Sequence, residues 1–428
     1  MNLETRLRSA AMRRLSSAGF QQLTRQRARL GRRLTRQPPT VHYFHQVDDP
    51  YSHLAVQRLD TLRATYALPF VAHLVSHPDA SFLGNSEHYG PWARNDAASI
   101  ASAYQVTFPA NHRTPALADV AAANDELAGH LTSSDFAHNA AVVGEALWSG
   151  AALEGAHTGD AGRFAVARGN ALRHKLGHYL GGMFYFDGEW YWGIDRLRLL
   201  EQRLIDEGYA GRAVEITTPQ PTALDTTVID AQHVLLEYFP SLRSPYTAVG
   251  HPHVLSLIKR TGVTVKLRPV MPMLMRGVPA PRAKQRYIMM DAGREGRACG
   301  NPFGNIVDPF GEPVKRAFAR FPAALAMGKG MEFITAYLDA AWVRGVDICT
   351  EAGLREVAAN ADIQWNELVQ AEDTEWTTLL DENLSEMLSA GLWGVPSFRV
   401  SGGRLDEPFA CWGQDRIWRV ENEIANRA

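Results

Sequence analysis

An internal repeat constrains this chain more than any other feature. Residues 41–54 read VHYFHQVDDPYSHL, and residues 234–249 read VLLEYFPSLRSPYTAV. Aligning Tyr43-Phe44 with Tyr238-Phe239 places Pro50-Tyr51 on Pro245-Tyr246, an offset of 195. Further on, EWYWGIDRLRLLE (189–201) matches FACWGQDRIWRVE (409–421). Trp192-Gly193 then falls on Trp412-Gly413, and Asp195-Arg196 on Asp415-Arg416, an offset of 220. The blocks keep their order, which is the pattern of a tandem duplication with middles of different length. Whatever fold the chain adopts must be buildable twice within 428 residues.

Each copy reads alike. An apolar strand (41–47; 234–240) meets an x-P-Y turn, where proline suits the first helical position because its missing N–H is not needed there. A helix follows (50–66; 245–260), then a second short apolar strand (67–75; 263–270). This βαβ start predicts parallel strands with a right-handed crossover. A long helical middle comes next, and the copy closes on a hairpin (183–192; 397–412). The first hairpin turn is Asp187-Gly188, a strong two-residue turn signal. A last helix begins near Asp195 or Asp415, each expected at its N-cap. The Thr- and Pro-rich stretch 217–228 reads as a linker.

Composition narrows the chemistry. Apolar residues make up 46% and charged residues 21%, so the bulk can build a core and is not disordered. No apolar run approaches the roughly 18 residues of a membrane span. The cysteines, Cys299, Cys349 and Cys411, form no CxxC. A disulfide scaffold, a cysteine-rich zinc module and a dithiol redox site are therefore excluded. Three unpaired cysteines suit a reducing cytoplasm, the expected location. The net charge of −2 hides an asymmetry: residues 1–36 carry ten arginines and one acid, Glu4. Without them the rest carries 34 basic and 45 acidic side chains, net −11, so nucleic acid is not an expected partner of the body. The arm has no apolar h-region and is not a secretory signal. Its leucines and arginines sort onto helical faces. That fits a helical extension packed on its own domain, a transit-peptide-like segment, or a helix touching anionic lipid or nucleic acid. Peripheral membrane contact through residues 1–36 stays open, as does homo-oligomerisation. Gln37-Pro38-Pro39 ends the arm.

At Gly394-Val395-Pro396 followed by a strand, with Ser244-Pro245-Tyr246 near the start and WGQDR (412–416) near the end, the second copy resembles a thioredoxin-fold domain. It is similar to the DsbA-like group that contains 2-hydroxychromene-2-carboxylate isomerase and kappa-class glutathione transferase. That group carries a helical domain inserted into the thioredoxin fold, as the long middles suggest here. The resemblance covers 234–425 well and 41–206 more weakly. It implies an α/β fold with two thioredoxin-like domains, each with an inserted helical domain. The expected division is an Arg-rich arm at 1–38, a degenerate DsbA-like domain at 39–210, a linker at 211–230, and a DsbA-like domain with a glutathione-type site at 231–428.

The residues can also be weighed on their own chemistry. Ser244 sits where a strand hands over to a helix, where unpaired N–H groups and the dipole favour an anion. The alternative is a plain helix start. The resemblance makes Ser244 the catalytic residue that hydrogen-bonds the sulfur of glutathione, with Pro245 and Tyr246 beside it. It makes Val395-Pro396 a cis bond whose backbone turns outward to pair with a peptide ligand. It sets Gln414 and Asp415 against the γ-glutamyl end, and Lys284, in VPAPRAKQRY, against the glycyl carboxylate. The family's asparagine before that segment is missing, and Met273-Leu274-Met275-Arg276 stands there, so either Arg276 compensates or affinity for glutathione is lost. Without such a partner, Lys284 reads as a solvated helix lysine.

Copy one departs further. Asp49 replaces the serine, with Asp48 beside it, and Gly182 replaces the cis proline. A carboxylate there repels a thiolate. The alternative is a carboxylate or metal site from His45, Asp48, Asp49 and His53, with His73/His77 and His174/His178 at i,i+4 spacing on helix faces. No full ligand set can be assembled, and no metal is expected. Gly293-Arg294-Glu295-Gly296-Arg297 lacks phosphate-loop spacing and reads as turns. The expected function is a glutathione-dependent isomerase or transferase acting on a small electrophilic, aromatic substrate. Two alternatives remain: a DsbA-family oxidoreductase-like protein without CxxC, and a non-catalytic peptide- or partner-binding protein.

Overall fold

The structure is a computed structural model, and it describes residues 1–153, 159–211, 214–223, 230–370 and 376–428. The expected linker at 211–230 lies partly outside the described residues. The chain divides into two compact units. One holds Met1–Phe20, Thr222–Ala280 and Lys284–Ala428; the other holds Gln21–Pro221 and Pro281–Ala283.

The arm is two helices, α1 (Leu3–Ser16) and α2 (Ala18–Leu34), interrupted at Ser17. The chain then runs β1 (Val41–His45), α3 (Pro50–Val56), α4 (Leu59–Thr65) and β2 (Phe70–Leu74). Its helical middle comprises α5 (Ser86–Ile100), α6 (Leu117–His130), α7 (Phe136–Ser149) and α8 (Ala161–Lys175). The hairpin β3 (Met183–Phe186) and β4 (Glu189–Trp192) and helix α9 (Leu197–Asp206) close it. The second half runs β5 (Val234–Phe239), α10 (Pro245–Thr261) and β6 (Thr264–Leu267). Its middle is α11 (Arg282–Ala298), α12 (Glu312–Phe318), α13 (Phe321–Ala326), α14 (Gly330–Asp339), α15 (Glu351–Asn360), α16 (Trp365–Gln370) and α17 (Trp376–Ser389). It ends on β7 (Ser397–Gly402), β8 (Phe409–Trp412) and α18 (Ile417–Arg427).

Both sheets have four strands in the same order, β2-β1-β3-β4 and β6-β5-β7-β8. In each, the first two strands are parallel and the closing hairpin antiparallel. The likeness extends to single hydrogen bonds. Tyr51 Oη donates to Asp96 Oδ2 at 2.8 Å, and Tyr246 Oη to Asp291 Oδ2 at 2.8 Å. Val75 N–H donates to the His45 carbonyl and Val270 N–H to that of Pro240, at 2.8 and 3.0 Å. Phe108 lies against Trp148 as Phe303 does against Trp342, with ring centroids 5.5 and 5.7 Å apart. The alternation of β5 puts Val234, Leu236 and Tyr238 into a core with Val254, Leu257, Phe333, Trp342 and Ile424, all essentially without solvent contact. Asp187 and Gly188, with φ of 34° and 88°, make the tight turn between β3 and β4.

Several expectations need correction. The helix expected over 50–66 is broken at Gln57-Arg58. The Gln57 amide reaches back to the His53 carbonyl and out to that of Thr107, at 3.0 and 2.9 Å. Asp195 and Asp415 do not cap the last helices. A 3₁₀ turn starts after Gly193 or Gly413, so each aspartate lies inside the first turn, and Asp195 accepts from Tyr104 Oη at 2.8 Å. The stretch 293–297 is no turn but part of α11, whose Gly293 lies against the Ser16 carbonyl. His73 is on strand β2 and His178 follows the end of α8, so neither i,i+4 pair shares a helix face.

Four of the arm's ten arginines, Arg8, Arg25, Arg29 and Arg32, form ion pairs among the described residues. Arg8 pairs with Asp308 at 2.9 Å. Arg25 pairs with Glu189 at 2.8 Å, and Arg32 holds Asp187 at 3.0 Å. Among the described residues no helix is long and apolar enough to cross a membrane.

Candidate functional site

The second copy's site is built at the handover from β5 to α10. Pro245 occupies the first turn of α10, as its sequence demands. Ser244, 7% exposed, is the N-cap, and its Oγ accepts the Thr247 N–H at 3.1 Å. The same Oγ donates to the Val395 carbonyl at 3.4 Å. The Val395-Pro396 peptide is cis. The Val395 carbonyl faces the Ser244 hydroxyl at the start of α10. The Val395 N–H has no hydrogen-bond partner among the described residues.

The rest of the loop is fixed from two sides. Pro396 O accepts the Gly413 N–H at 2.8 Å, which ties the proline to the turn before Gln414 and Asp415. Gln414 lies against α10 at Gly250, where an added Cβ would come within 2.8 Å of the Gln414 Cβ. Gln414 Nε2 donates to Asp415 Oδ2 at 3.2 Å. Ser244, Val395, Pro396 and Gln414 are thus gathered around the first turns of α10.

Tyr246 and Lys284 are placed differently. The Tyr246 hydroxyl is turned to Asp291 of α11. Lys284 lies seven residues before Asp291 on the same helix, which is the same face about 10 Å along the axis. Its ammonium has no hydrogen-bond or ion-pair partner among the described residues, and burial pushes its pKa down to about 8. Arg276 does not compensate for the missing asparagine. Its Nε donates to the Met271 carbonyl and its NH2 to that of Trp393, both at 3.0 Å. It braces the loop before Gly394.

Copy one shows the same frame with other chemistry. Gly182 stands where Pro396 does, since its carbonyl accepts the Gly193 N–H at 2.7 Å. Its φ is +62°, and an added Cβ would meet Asp49 Oδ2 at 2.9 Å, so glycine is required there. Asp49 caps α3, accepting from Ser52 N–H and Oγ at 2.9 and 2.7 Å. Burial pushes its carboxyl up to about 6, against those hydrogen bonds. His45 and His53 are buried, and desolvation drives them down to about 3 and about 4. No three His, Cys, Asp or Glu side chains come together as a metal site among the described residues.

One buried network escaped sequence reasoning. Glu237, 3% exposed in the middle of β5, is held by Arg268 at 2.5 Å and by Arg399. Burial pushes its carboxyl up, but the two guanidinium groups outweigh that and hold it below its usual value. A lone acid inside an apolar strand was the only signal available.

Residues 235–425 match the family described as DSBA-like thioredoxin domain. No curated protein matches the chain. Among solved structures, the chain is similar to the cytosolic disulfide reductase DsbM from Pseudomonas aeruginosa, at 20% identity and a TM-score of 0.37. That match covers 45% of this chain and 98% of DsbM. It is also similar to 2-hydroxychromene-2-carboxylate isomerase, at 18% identity and a TM-score of 0.36, covering 45% of this chain and 95% of the isomerase. DsbM has also been solved with GSH; that structure matches at 18% identity and a TM-score of 0.33, covering 45% of this chain and all of DsbM. With its parallel β5–β6 pair, its hairpin and its cis-proline loop facing the start of α10, the segment 235–425 is a DsbA-like thioredoxin domain.

Proposed function

We propose that the second copy is a glutathione-dependent isomerase or transferase for a small, electrophilic, aromatic substrate. The observation that carries this reading is the pairing of the Ser244 hydroxyl with the Val395 backbone at the start of α10. A serine there, in place of a cysteine, leaves no thiol for disulfide exchange at this position. Its O–H···O contact at 3.4 Å is long beside the usual 2.7–2.8 Å, so turning the proton toward a ligand sacrifices little. The α10 N-terminus adds a positive field at the same point.

The residues present fit glutathione. The free Val395 N–H offers a donor to a peptide carbonyl. The unpaired Lys284 ammonium suits a carboxylate. Gln414 and Asp415 offer an amide and a carboxylate for an amino-acid end. Bound glutathione would supply a thiolate nucleophile, and Ser244 would stabilise that charge. The tripeptide contacts and the substrate class come from the family resemblance.

The two halves also read as a tandem duplication in which copy one keeps the thioredoxin frame. Shared strand order and the matched Tyr51–Asp96 and Tyr246–Asp291 bonds support this. Calorimetric titration of the full chain with glutathione tests the function. Saturable binding at micromolar to low-millimolar concentration supports it. No binding removes it and favours a non-catalytic binding protein.

A further inference from the structure

Helix α2 is amphipathic the wrong way round. A helix on the surface of a water-soluble protein ordinarily buries its leucines and exposes its charges. Within the unit Gln21–Pro221, α2 turns three arginines inward. Arg25 pairs with Glu189 at 2.8 Å, Arg29 with Glu207, and Arg32 with Asp187 at 3.0 Å. Asp187 and Glu189 are buried at the β3–β4 hairpin. The contact is close, since an added Cβ on Gly188 would come within 2.8 Å of the Thr24 carbonyl oxygen. The opposite face carries Leu30 and Leu34, 59% and 76% exposed. They are four residues apart and so share that face. Arg27 and Arg33 stand three residues to either side of Leu30, and Arg36 follows the helix. All three arginines are exposed, and their guanidinium groups have no hydrogen-bond or ion-pair partner among the described residues. No acid occurs between Glu4 and Asp48.

We propose that this outward face of α2 docks on an anionic lipid surface. The leucines enter the boundary of the acyl layer. Arg27, Arg33 and Arg36 reach the lipid phosphates, with their apolar stems lying along that layer. Charge and apolar surface together decide among occupants. A second copy seated face to face would set arginines against arginines with no acid to answer them. Nucleic acid would use the arginines and leave both leucines in water. A lipid surface takes both residue types. Two leucines and three arginines make a reversible contact, not an anchor.

The test is co-sedimentation of the full chain with vesicles of phosphatidylcholine alone and of phosphatidylcholine mixed with phosphatidylserine. Binding is expected on the anionic vesicles, and it should be at least tenfold weaker on the neutral ones and in high salt. A basic residue near an anionic leaflet contributes about fivefold, so Arg27→Gln with Arg33→Gln should weaken binding roughly 25-fold. Leu30→Ser with Leu34→Ser should weaken it at least tenfold. All four side chains are exposed, so the urea midpoint of either double variant should match the parent. Equal binding to neutral and anionic vesicles, no binding to either, or anionic-vesicle binding unchanged in either double variant would overturn the assignment. So would a dimer of the full chain that the leucine variant dissociates, or tighter binding to duplex DNA than to the vesicles.

Discussion

Ser244 Oγ donates to the carbonyl oxygen of Val395, the residue before cis-Pro396, across 151 residues of sequence. One hydroxyl therefore serves as helix cap, as brace of the proline loop and as the donor nearest the proposed sulfur position. These roles separate by substitution. Ser244→Ala loses the cap and should lower stability by about 0.5–2 kcal/mol in urea unfolding. Ser244→Asp, the residue of copy one, keeps the cap but loses the donor to the Val395 carbonyl, and it should lose glutathione affinity. Two like charges about 4 Å apart repel by roughly 4 kcal/mol at an effective dielectric of 20.

Lys284 titrates near 8 because burial disfavours its charge. Between about 8 and its ordinary 10.5 the unfolded chain holds a proton that the folded chain has released. Stability contributed by this group therefore rises with pH across that window. Lys284→Met should flatten the rise, read as urea midpoints from pH 7.5 to 10. Binding of glutathione at pH 8.5 should take up a proton at Lys284, because a carboxylate restores the ammonium, against the proton released as the bound thiol ionises. Calorimetry in buffers of different ionisation enthalpy measures the balance, and Lys284→Met should shift it toward proton release.

The acid side has the same sign for the same reason, acting on other groups. Desolvation lowers His53, His73 and His251 to about 4 and His45 to about 3. Between about 4 and 6.5 the unfolded state binds protons that the folded state refuses, so stability falls as pH drops. Asp49, pushed up to about 6, and Glu421, also raised by burial, work in the opposite sense but are fewer than the histidines. His53 has both ring nitrogens buried without a hydrogen bond. His53→Leu should reduce the dependence of unfolding free energy on pH by up to one proton between pH 4.5 and 6.5.

Glu237 anchors a buried cluster with Arg268 and Arg399. Glu237→Ala leaves two guanidinium groups without their carboxylate and should cost about 3–5 kcal/mol in urea unfolding. Arg399→Ala alone should cost less, since Arg268 still pairs with the acid and Arg399 is more exposed.

What the sequence made legible was local. Pro50 and Pro245 at helix starts, Asp187-Gly188 in a hairpin, and the paired Trp-Gly blocks each have a short-range physical cause. What it hid was long-range. The break at Gln57-Arg58 has no Gly or Pro to announce it. The arm is interrupted at Ser17, where neither glycine nor proline stands. The partners of Glu237 lie 31 and 162 residues away. A cavity in the first copy draws its walls from residues 46 to 192, and only folding brings them together. Of the site, Ser244, Val395, Pro396 and Gln414 were readable because motifs mark them. The free Val395 N–H and the commitment of Arg276 to backbone carbonyls were not.

The most direct measurement is the ultraviolet thiolate band of glutathione bound to the full chain, followed against pH for the parent and for Ser244→Ala. Removing one directed donor to a charge costs about 1–3 kcal/mol, which corresponds to roughly one to two pKa units. The account expects the thiol of bound glutathione to ionise below its solution value in the parent and to move up by that amount in the variant. An apparent pKa that is the same in both proteins would contradict the role assigned to Ser244.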